Sequence, residues 1–147
     1  MEPQIVAIGG GGFLDGSENL ALENFIVGLA NKPRPKVCFV PTASGDSEQY
    51  LLKFYASFAK LPATATHLPL FRLAVTDLRS YLLGQDIIYV GGGNTRNMLV
   101  LWHEWGLVSF FARHGKMVQF FAESAPDRFV GLNKVSAIRS RLENCGR

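Results

Sequence analysis

The chain has 147 residues, 48% of them hydrophobic and 18% charged, which suits one globular domain and excludes an intrinsically disordered chain. No apolar stretch approaches the roughly 20 residues of a membrane helix, and the N-terminus lacks a signal peptide's basic region, so we expect a cytoplasmic protein with no membrane partner. Residues 108–147 carry 7 Lys and Arg against 3 Asp and Glu, or +4, and residues 1–107 carry 8 against 9, or −1, so the excess of the net charge of +3 lies in the last 40 residues. Because these charges form no face, we expect no nucleic-acid partner.

The first half of the chain predicts two buried strands, each followed by a helix. The run "QIVAIGGGG" is continuously apolar and ends in glycines, as in a parallel strand covered on both faces. A helix then opens at Ser17 or Glu18, with apolar residues at helical spacing. The second strand is "KVCFVPTAS", ended by Pro41, and Asp46 or Ser47 caps the helix "EQYLLKFYASFAKL".

The next segments repeat this order. "ATATHLPLF" predicts a strand at the flank of the sheet, and Asp77 to Leu83 predicts a short helix closed by Gly84. "DIIYVGGGN" is a fourth strand, and "TRNMLVLWHEWGL" is the helix after it. Strands that alternate with helices at this spacing predict an α/β fold with a doubly wound, mostly parallel sheet. After Leu107 no clear period remains, and the arginines are scattered among apolar residues.

Two glycine-rich loops follow predicted strands, Gly9–Gly12 and Gly91–Thr95. Ligands of open α/β sheets bind beyond the carboxyl ends of the strands, where such loops lie. Glycine lets backbone N–H groups turn towards a phosphate or towards the oxyanion of a tetrahedral intermediate. The structural alternative is a tight turn into a helix capped by Asn94 or Thr95.

A dinucleotide-binding fold competes for the first of these loops. "GGGGFLDG" can be aligned with the dinucleotide fingerprint only if its third glycine comes one place late. No acidic residue ends the second strand either. A Rossmann-like nucleotide-binding protein is therefore the weaker alternative, and we expect no cofactor.

The other polar candidates form no recognisable site. Cys38 and Cys145 have neither metal-binding nor redox spacing, and Cys38 lies in an apolar run that favours a buried small residue. His67, His103 and Glu104 have no ligand partner at suitable spacing. We expect these three to be structural or surface groups, and we expect no metal site.

Four segments together resemble one enzyme family: "IVAIGGGGF", "VCFVPTASGDSEQYLLKFY", "LPLF" and "DIIYVGGGNTRNMLVLWHEWGL". It is the dipeptidase E (aspartyl dipeptidase) family of serine peptidases, which is related to cyanophycinase and has a class I glutamine amidotransferase-like, flavodoxin-like fold. The resemblance covers about residues 4–107. It implies that Gly92 and Gly93 are oxyanion donors, that Asn94 and Thr95 position the loop and the substrate, and that the substrates are short peptides with an N-terminal aspartate.

The sequence departs from this family at the nucleophile. The family continues with a helix, a buried strand and a nucleophile elbow of the form G-x-S-A-G followed by "CWFE". Such a sharp turn lifts the serine oxygen clear of the sheet. No G-x-S-x-G occurs in this chain, and Ser124, near the expected place, is followed by Pro126 and has no flanking glycines. We therefore assign no catalytic residue.

The genetic code accounts for the missing elbow. Consider the shifted frame in which each codon starts at the last base of a present codon. There the last base of the Met117 codon, G, and the first two bases of any Val118 codon, GT, form GGT, so glycine is the only residue possible at this place. Codon degeneracy allows the whole region to read "AWENGAVLCGVSAGSICWFEQGVSDS", which is the helix end, strand and elbow of the family. More than twenty consecutive matches are hard to assign to chance, so we infer that the reading frame changes near Leu107 or Val108.

These inferences divide the chain into residues 1–107, the N-terminal part of a dipeptidase E-like domain, and residues 108–147, an out-of-frame tail. The fold is then incomplete on its C-terminal side. We expect a member of a serine peptidase family whose chain is inactive and whose oxyanion loop is vestigial. The alternative is a non-catalytic binding or structural module, and either form is compatible with a homodimer.

Overall fold

A computed structural model describes residues 6–8, 12–15, 18–114 and 118–121. In these ranges five parallel strands form one sheet, in the order β1-β5-β4-β2-β3. The strands are β1 (Ala7–Ile8), β2 (Lys36–Val40), β3 (Thr64–His67), β4 (Ile87–Val90) and β5 (Val118–Phe121). The helices are α1 (Ala21–Leu29), α2 (Glu48–Phe58), α3 (Leu78–Leu83), α4 (Thr95–Glu104) and α5 (Leu107–His114), with 3-10 turns at Gly12–Asp15 and Thr42–Ser44. None of the described helices is long and apolar enough to cross a membrane.

The sheet has a hydrophobic core on each face, because successive residues of β2 and β4 point in opposite directions. On one face Phe39 and Tyr89 join residues of α1 and α2, namely Ile26, Val27, Phe54 and Phe58. On the other face Cys38 and Val90 join residues of α3, α4 and α5, namely Leu82, Met98, Trp102 and Phe111. Helices on both faces of a parallel sheet define a doubly wound α/β fold, which confirms the predicted fold class.

Phe13, in the 3-10 turn after β1, closes the first of these cores. Its side chain is buried, and its ring lies 5.3–6.0 Å from four aromatic rings, those of Phe39, Phe54, Phe58 and Tyr89. The N–H of Phe13 donates to Oε1 of Glu23, which is fully buried in α1, over 2.7 Å. Since a buried carboxylate is stable only with such donors, Glu23 ties the turn after β1 to α1.

The helix boundaries agree with the predictions in α3 and differ in α1. Asp77 caps α3, with its side chain accepting hydrogen bonds from the N–H and the hydroxyl of Ser80, and the helix ends at Gly84. These bonds hold the pKa of the Asp77 carboxyl below its usual range. Helix α1 begins only at Ala21, later than predicted. Ser47 lies at the N-cap position of α2, but its side chain makes no capping hydrogen bond.

Beyond Leu107 the structure has two elements that the hydrophobic pattern did not predict. Helix α5 buries Leu107, Val108, Phe110 and Phe111, and β5 lies inside the sheet. The sequence showed no clear period after Leu107 and left the structure of the tail open, and the described part of it begins with this helix and strand. The predicted boundary at residue 107 marks where the reading frame is inferred to change, and it stays a prediction. Residues 122–147 of the predicted tail lie outside the described residues.

Replacing Phe54 by alanine tests the first core. Phe54 is fully buried and stacks on Phe39 at 4.9 Å, so Phe54→Ala should lower the free energy of unfolding by about 3–5 kcal/mol. Leu52 on the same helix is 73% exposed, and Leu52→Ala should change it by less than about 0.5 kcal/mol. Urea denaturation followed by circular dichroism measures both, and equal effects would contradict the assignment of the core.

Candidate functional site

The carboxyl ends of β2 and β4 form a topological switch point of the sheet. After β2 the chain passes to the face covered by α2, and after β4 it passes to the face covered by α4. Ligand sites of open α/β sheets lie at such points, because the two loops diverge and leave a crevice between them. The loops here are Pro41–Ser44 and Gly91–Asn94, the "PTAS" and "GGGNT" segments of the sequence.

Hydrogen bonds join these two loops. The N–H of Asn94 donates to the carbonyl of Ala43 over 2.7 Å. Below them, Nε1 of the fully buried Trp102 in α4 donates to the hydroxyl of Thr42 over 3.2 Å. Because both bonds link the β2 loop to α4 or its cap, the loops form one unit at the edge of the sheet.

Gly93 is the residue on which this contact depends. Its φ of +135° is a conformation that side chains rarely adopt, and a Cβ there would lie only 2.3 Å from the Ala43 carbonyl oxygen. Gly91 is also close to its surroundings, since a Cβ would lie 3.0 Å from the Phe39 ring. Glycine is therefore required at Gly93 by both conformation and space, which goes beyond what a tight turn alone would need.

The predicted oxyanion donors lie at this edge. Gly92 is buried and Gly93 is exposed, and within the described residues neither backbone N–H has a hydrogen-bond acceptor. Helix α4 begins directly after them, with Asn94 as its cap accepting from the N–H of Asn97 over 3.0 Å. Of the two predicted caps the structure thus uses Asn94, while Thr95 is the first helical residue. The positive end of the α4 dipole faces this loop and favours a negatively charged group.

Asp46 contributes a contact that the sequence did not indicate. It was a candidate helix cap, but its backbone has a positive φ of 56° and its Oδ2 accepts the N–H groups of Leu70 and Phe71 over 2.8 and 2.9 Å. Asp46 therefore joins the loop after β2 to the loop after β3. Aspartate tolerates positive φ better than most residues, but the partners lie too far along the chain for any local motif to show them.

Strand β5 ends between β1 and the glycine loop. Val90 pairs with Phe120, and Ile8 pairs with Phe121. Since all three strands are parallel, the chain leaves Phe121 at the same edge as the loop Gly91–Asn94. Ser124 follows this point but lies outside the described residues, as do Gly9–Gly11.

The remaining polar candidates lie on two different elements, β3 and the end of α4. His67 in β3 hydrogen-bonds through Nδ1 to the hydroxyl of Tyr55 over 2.6 Å. His103 and Glu104 are exposed at the end of α4. In the part of the chain that the structure describes, no group of three His, Cys, Asp or Glu side chains could hold a metal ion.

Cys38 is buried in the core of the second face, as predicted. Burial raises the pKa of its thiol to about 12, with hydrogen bonds from Tyr81 and Thr66 opposing this in part. Because the thiolate is the reactive form, Cys38 cannot replace a serine nucleophile.

Comparisons with known proteins agree with this architecture. The chain matches Peptidase family S51 over residues 5–122, a range that reaches β5. It is 51% identical over 104 residues to a Bacillus subtilis (strain 168) protein described as "Uncharacterized peptidase YgaJ", covering 71% of this chain and 45% of that protein. The chain thus spans less than half the length of this curated relative. The chain also resembles a crystal structure of a protein from Listeria monocytogenes EGD-e that is described as peptidase E. The two superpose with a TM-score of 0.57 at 20% identity, over 71% of this chain and 54% of the other, which shows a shared fold.

Gly93→Ala tests whether the loop geometry is required. The added Cβ cannot be accommodated without moving the backbone, so the free energy of unfolding should fall by about 2–4 kcal/mol. Gly28 in α1 is the matched control, because a Cβ there meets nothing within 4 Å, and Gly28→Ala should stabilise the helix by roughly 0.5–1 kcal/mol. Thermal unfolding of both variants gives the comparison, and a neutral Gly93→Ala would contradict the close approach to Ala43.

A thiol reagent tests the environment of Cys38. In a Cys145→Ser background the folded chain should not react with DTNB at pH 8, because the thiol is buried and has a pKa of about 12. The same sample in denaturant should release one equivalent of chromophore. Rapid reaction of the folded chain would show that Cys38 is accessible.

Proposed function

Because the chain belongs to Peptidase family S51, we propose that its sheet is the scaffold of a serine peptidase that acts on short peptides with an N-terminal aspartate, and that this chain itself does not cleave them. The observation that carries the proposal is the loop Gly91–Asn94. It is held against Ala43 at the switch point and leaves the N–H groups of Gly92 and Gly93 without an acceptor among the described residues.

The proposed role of the loop follows from the chemistry of acyl transfer. When a serine hydroxyl attacks a peptide carbonyl, the carbonyl oxygen gains negative charge in the tetrahedral intermediate. Two backbone N–H groups stabilise that charge if they are already oriented before the reaction. Gly92 and Gly93 would supply these donors, while Asn94 and Thr95 would hold the loop at the start of α4. The short-peptide substrate and its aspartate rest on the family resemblance.

The nucleophile is the part that this chain lacks. Its sequence contains no G-x-S-x-G, and Ser124 has none of the flanking glycines of that motif and is followed by Pro126. Ser44 lies against Gly93, but its hydroxyl donates to the carbonyl of Pro41 over 2.9 Å. Among the described residues no histidine hydrogen-bonds to Ser44, so no base is placed to activate it.

A non-catalytic peptide-binding module is the second candidate, and the same loop favours it. The N–H groups of Gly92 and Gly93, which have no acceptor among the described residues, can bind a carboxylate or a carbonyl oxygen without any nucleophile, because a donor pair recognises an oxygen in either case. The two candidates differ in what the chain does with a bound peptide. They are therefore separated by hydrolysis.

The test compares the 147-residue chain with a chain expressed from a gene whose frame is restored at the Leu107–Val108 codons. The present chain should release no product from aspartyl dipeptides, whereas the restored chain should hydrolyse them. Replacing the elbow serine, which is read across the codons of Ser124 and Ala125, by alanine should lower kcat/KM of the restored chain by at least about 10³.

An amine-release assay with Asp-Leu and a control dipeptide lacking aspartate measures this activity. Turnover by the present chain that survives repeated purification would contradict the inactive assignment. A restored chain that hydrolyses both dipeptides equally would contradict the proposed substrate class but leave the mechanism intact.

A further inference from the structure

Helix α5 is packed as firmly as the helices that precede it. Leu107, Val108, Phe110 and Phe111 are between 1% and 8% exposed. They follow one another at helical spacing, so they share one face, while Ser109 and Ala112 on the other face are exposed. The Phe111 ring lies 5.0 Å from the ring of Trp102. A segment inferred to be read out of frame therefore contributes three residues to a core: Val108, Phe110 and Phe111.

Strand β5 lies in the interior of the sheet, between β1 and β4. It pairs with β4 from Ile88–Val118 to Val90–Phe120, and with β1 from Ala7–Phe120 to Ile8–Phe121. A strand with a parallel neighbour on each side belongs to the interior of a sheet. Without β5, the described strands would separate into β1 alone and the group β4-β2-β3.

The genetic code explains how one DNA segment can encode apolar residues at the same places in both reading frames. Every phenylalanine codon begins with two thymines. In the shifted frame these become the second and third bases of a codon, and all codons ending in TT encode Phe, Leu, Ile or Val. Each phenylalanine of this region therefore implies an apolar residue at the same place in the other frame. The pairs Phe110–Phe111 and Phe120–Phe121 mark such places in α5 and β5.

We infer that residues 108–114 and 118–121 replace the corresponding helix and strand of the peptidase family in the scaffold, although they are read in a different frame. In this chain β5 joins β1 to β4, and it ends at the same edge of the sheet as the glycine loop. The frame change thus removes the nucleophile, beyond Phe121, and leaves intact the elements that would position it. This inference rests on the proposed function for the frame change and for the role of the glycine loop.

The first experiment uses the 147-residue chain and needs no activity. Phe110→Ser with Phe111→Ser should lower the urea midpoint by about 1–3 M, because two buried rings are lost. Phe110→Leu with Phe111→Leu installs residues that the other frame allows, and should cause less than half of that shift. Ala112→Ser, on the exposed face of the same helix, is the matched control and should leave the midpoint unchanged.

Hydrogen exchange provides the second measurement on the same protein. Amides of residues 118–121 should be protected to a similar degree as those of β4, and the serine pair should reduce protection in both strands. The inference is overturned if the serine pair leaves the midpoint unchanged, if the leucine pair is as damaging as the serine pair, or if residues 118–121 exchange as an unfolded peptide does.

An activity arm separates this inference from the proposed function. One gene is restored at Leu107–Val108, and another only after Met117, so that it keeps the present α5. The inference expects kcat/KM within about threefold between the two products. If only the first is active, α5 is not a working replacement and the inference fails. If both fold and neither is active, the proposed function fails while the stability result stands.

Discussion

The close approach of Gly93 to the Ala43 carbonyl is the constraint on which the candidate site depends. A backbone at φ +135° brings the loop after β4 against the loop after β2, and the N–H of Asn94 completes the contact. This contact sets the direction in which the neighbouring glycine N–H groups point and the place where α4 begins. Any side chain at Gly93 would have to separate the two loops.

The sheet supports this contact through its two separate cores. Phe39 and Tyr89 anchor β2 and β4 in an aromatic cluster on one face, and Cys38 and Val90 anchor them on the other. The two strands that carry the loops are therefore held from both sides. Helix α5 and strand β5 complete this arrangement, since α5 adds its apolar face to the second core and β5 joins β1 to β4.

Some features of the site could be predicted from local sequence, and others could not. The caps Asp77 and Asn94 follow from the hydrogen bonds that short polar side chains make with the next turn of a helix. Asp46 has the same chemistry, yet its acceptor atom is used by Leu70 and Phe71, which lie more than twenty residues away. The Glu23 contact with Phe13 is similar, because it depends on how α1 lies across the turn after β1.

The sequence by itself determined the alternation of strands and helices, the fold class and the family, because apolar periodicity and short motifs are local properties. It also shows that the given 147 residues contain no G-x-S-x-G, since that depends only on residue order. Only the tertiary structure decided the order of the strands, the positive-φ conformation of Gly93 and the burial of α5. These depend on contacts between residues far apart in the chain, where packing selects among arrangements that local preferences leave equivalent.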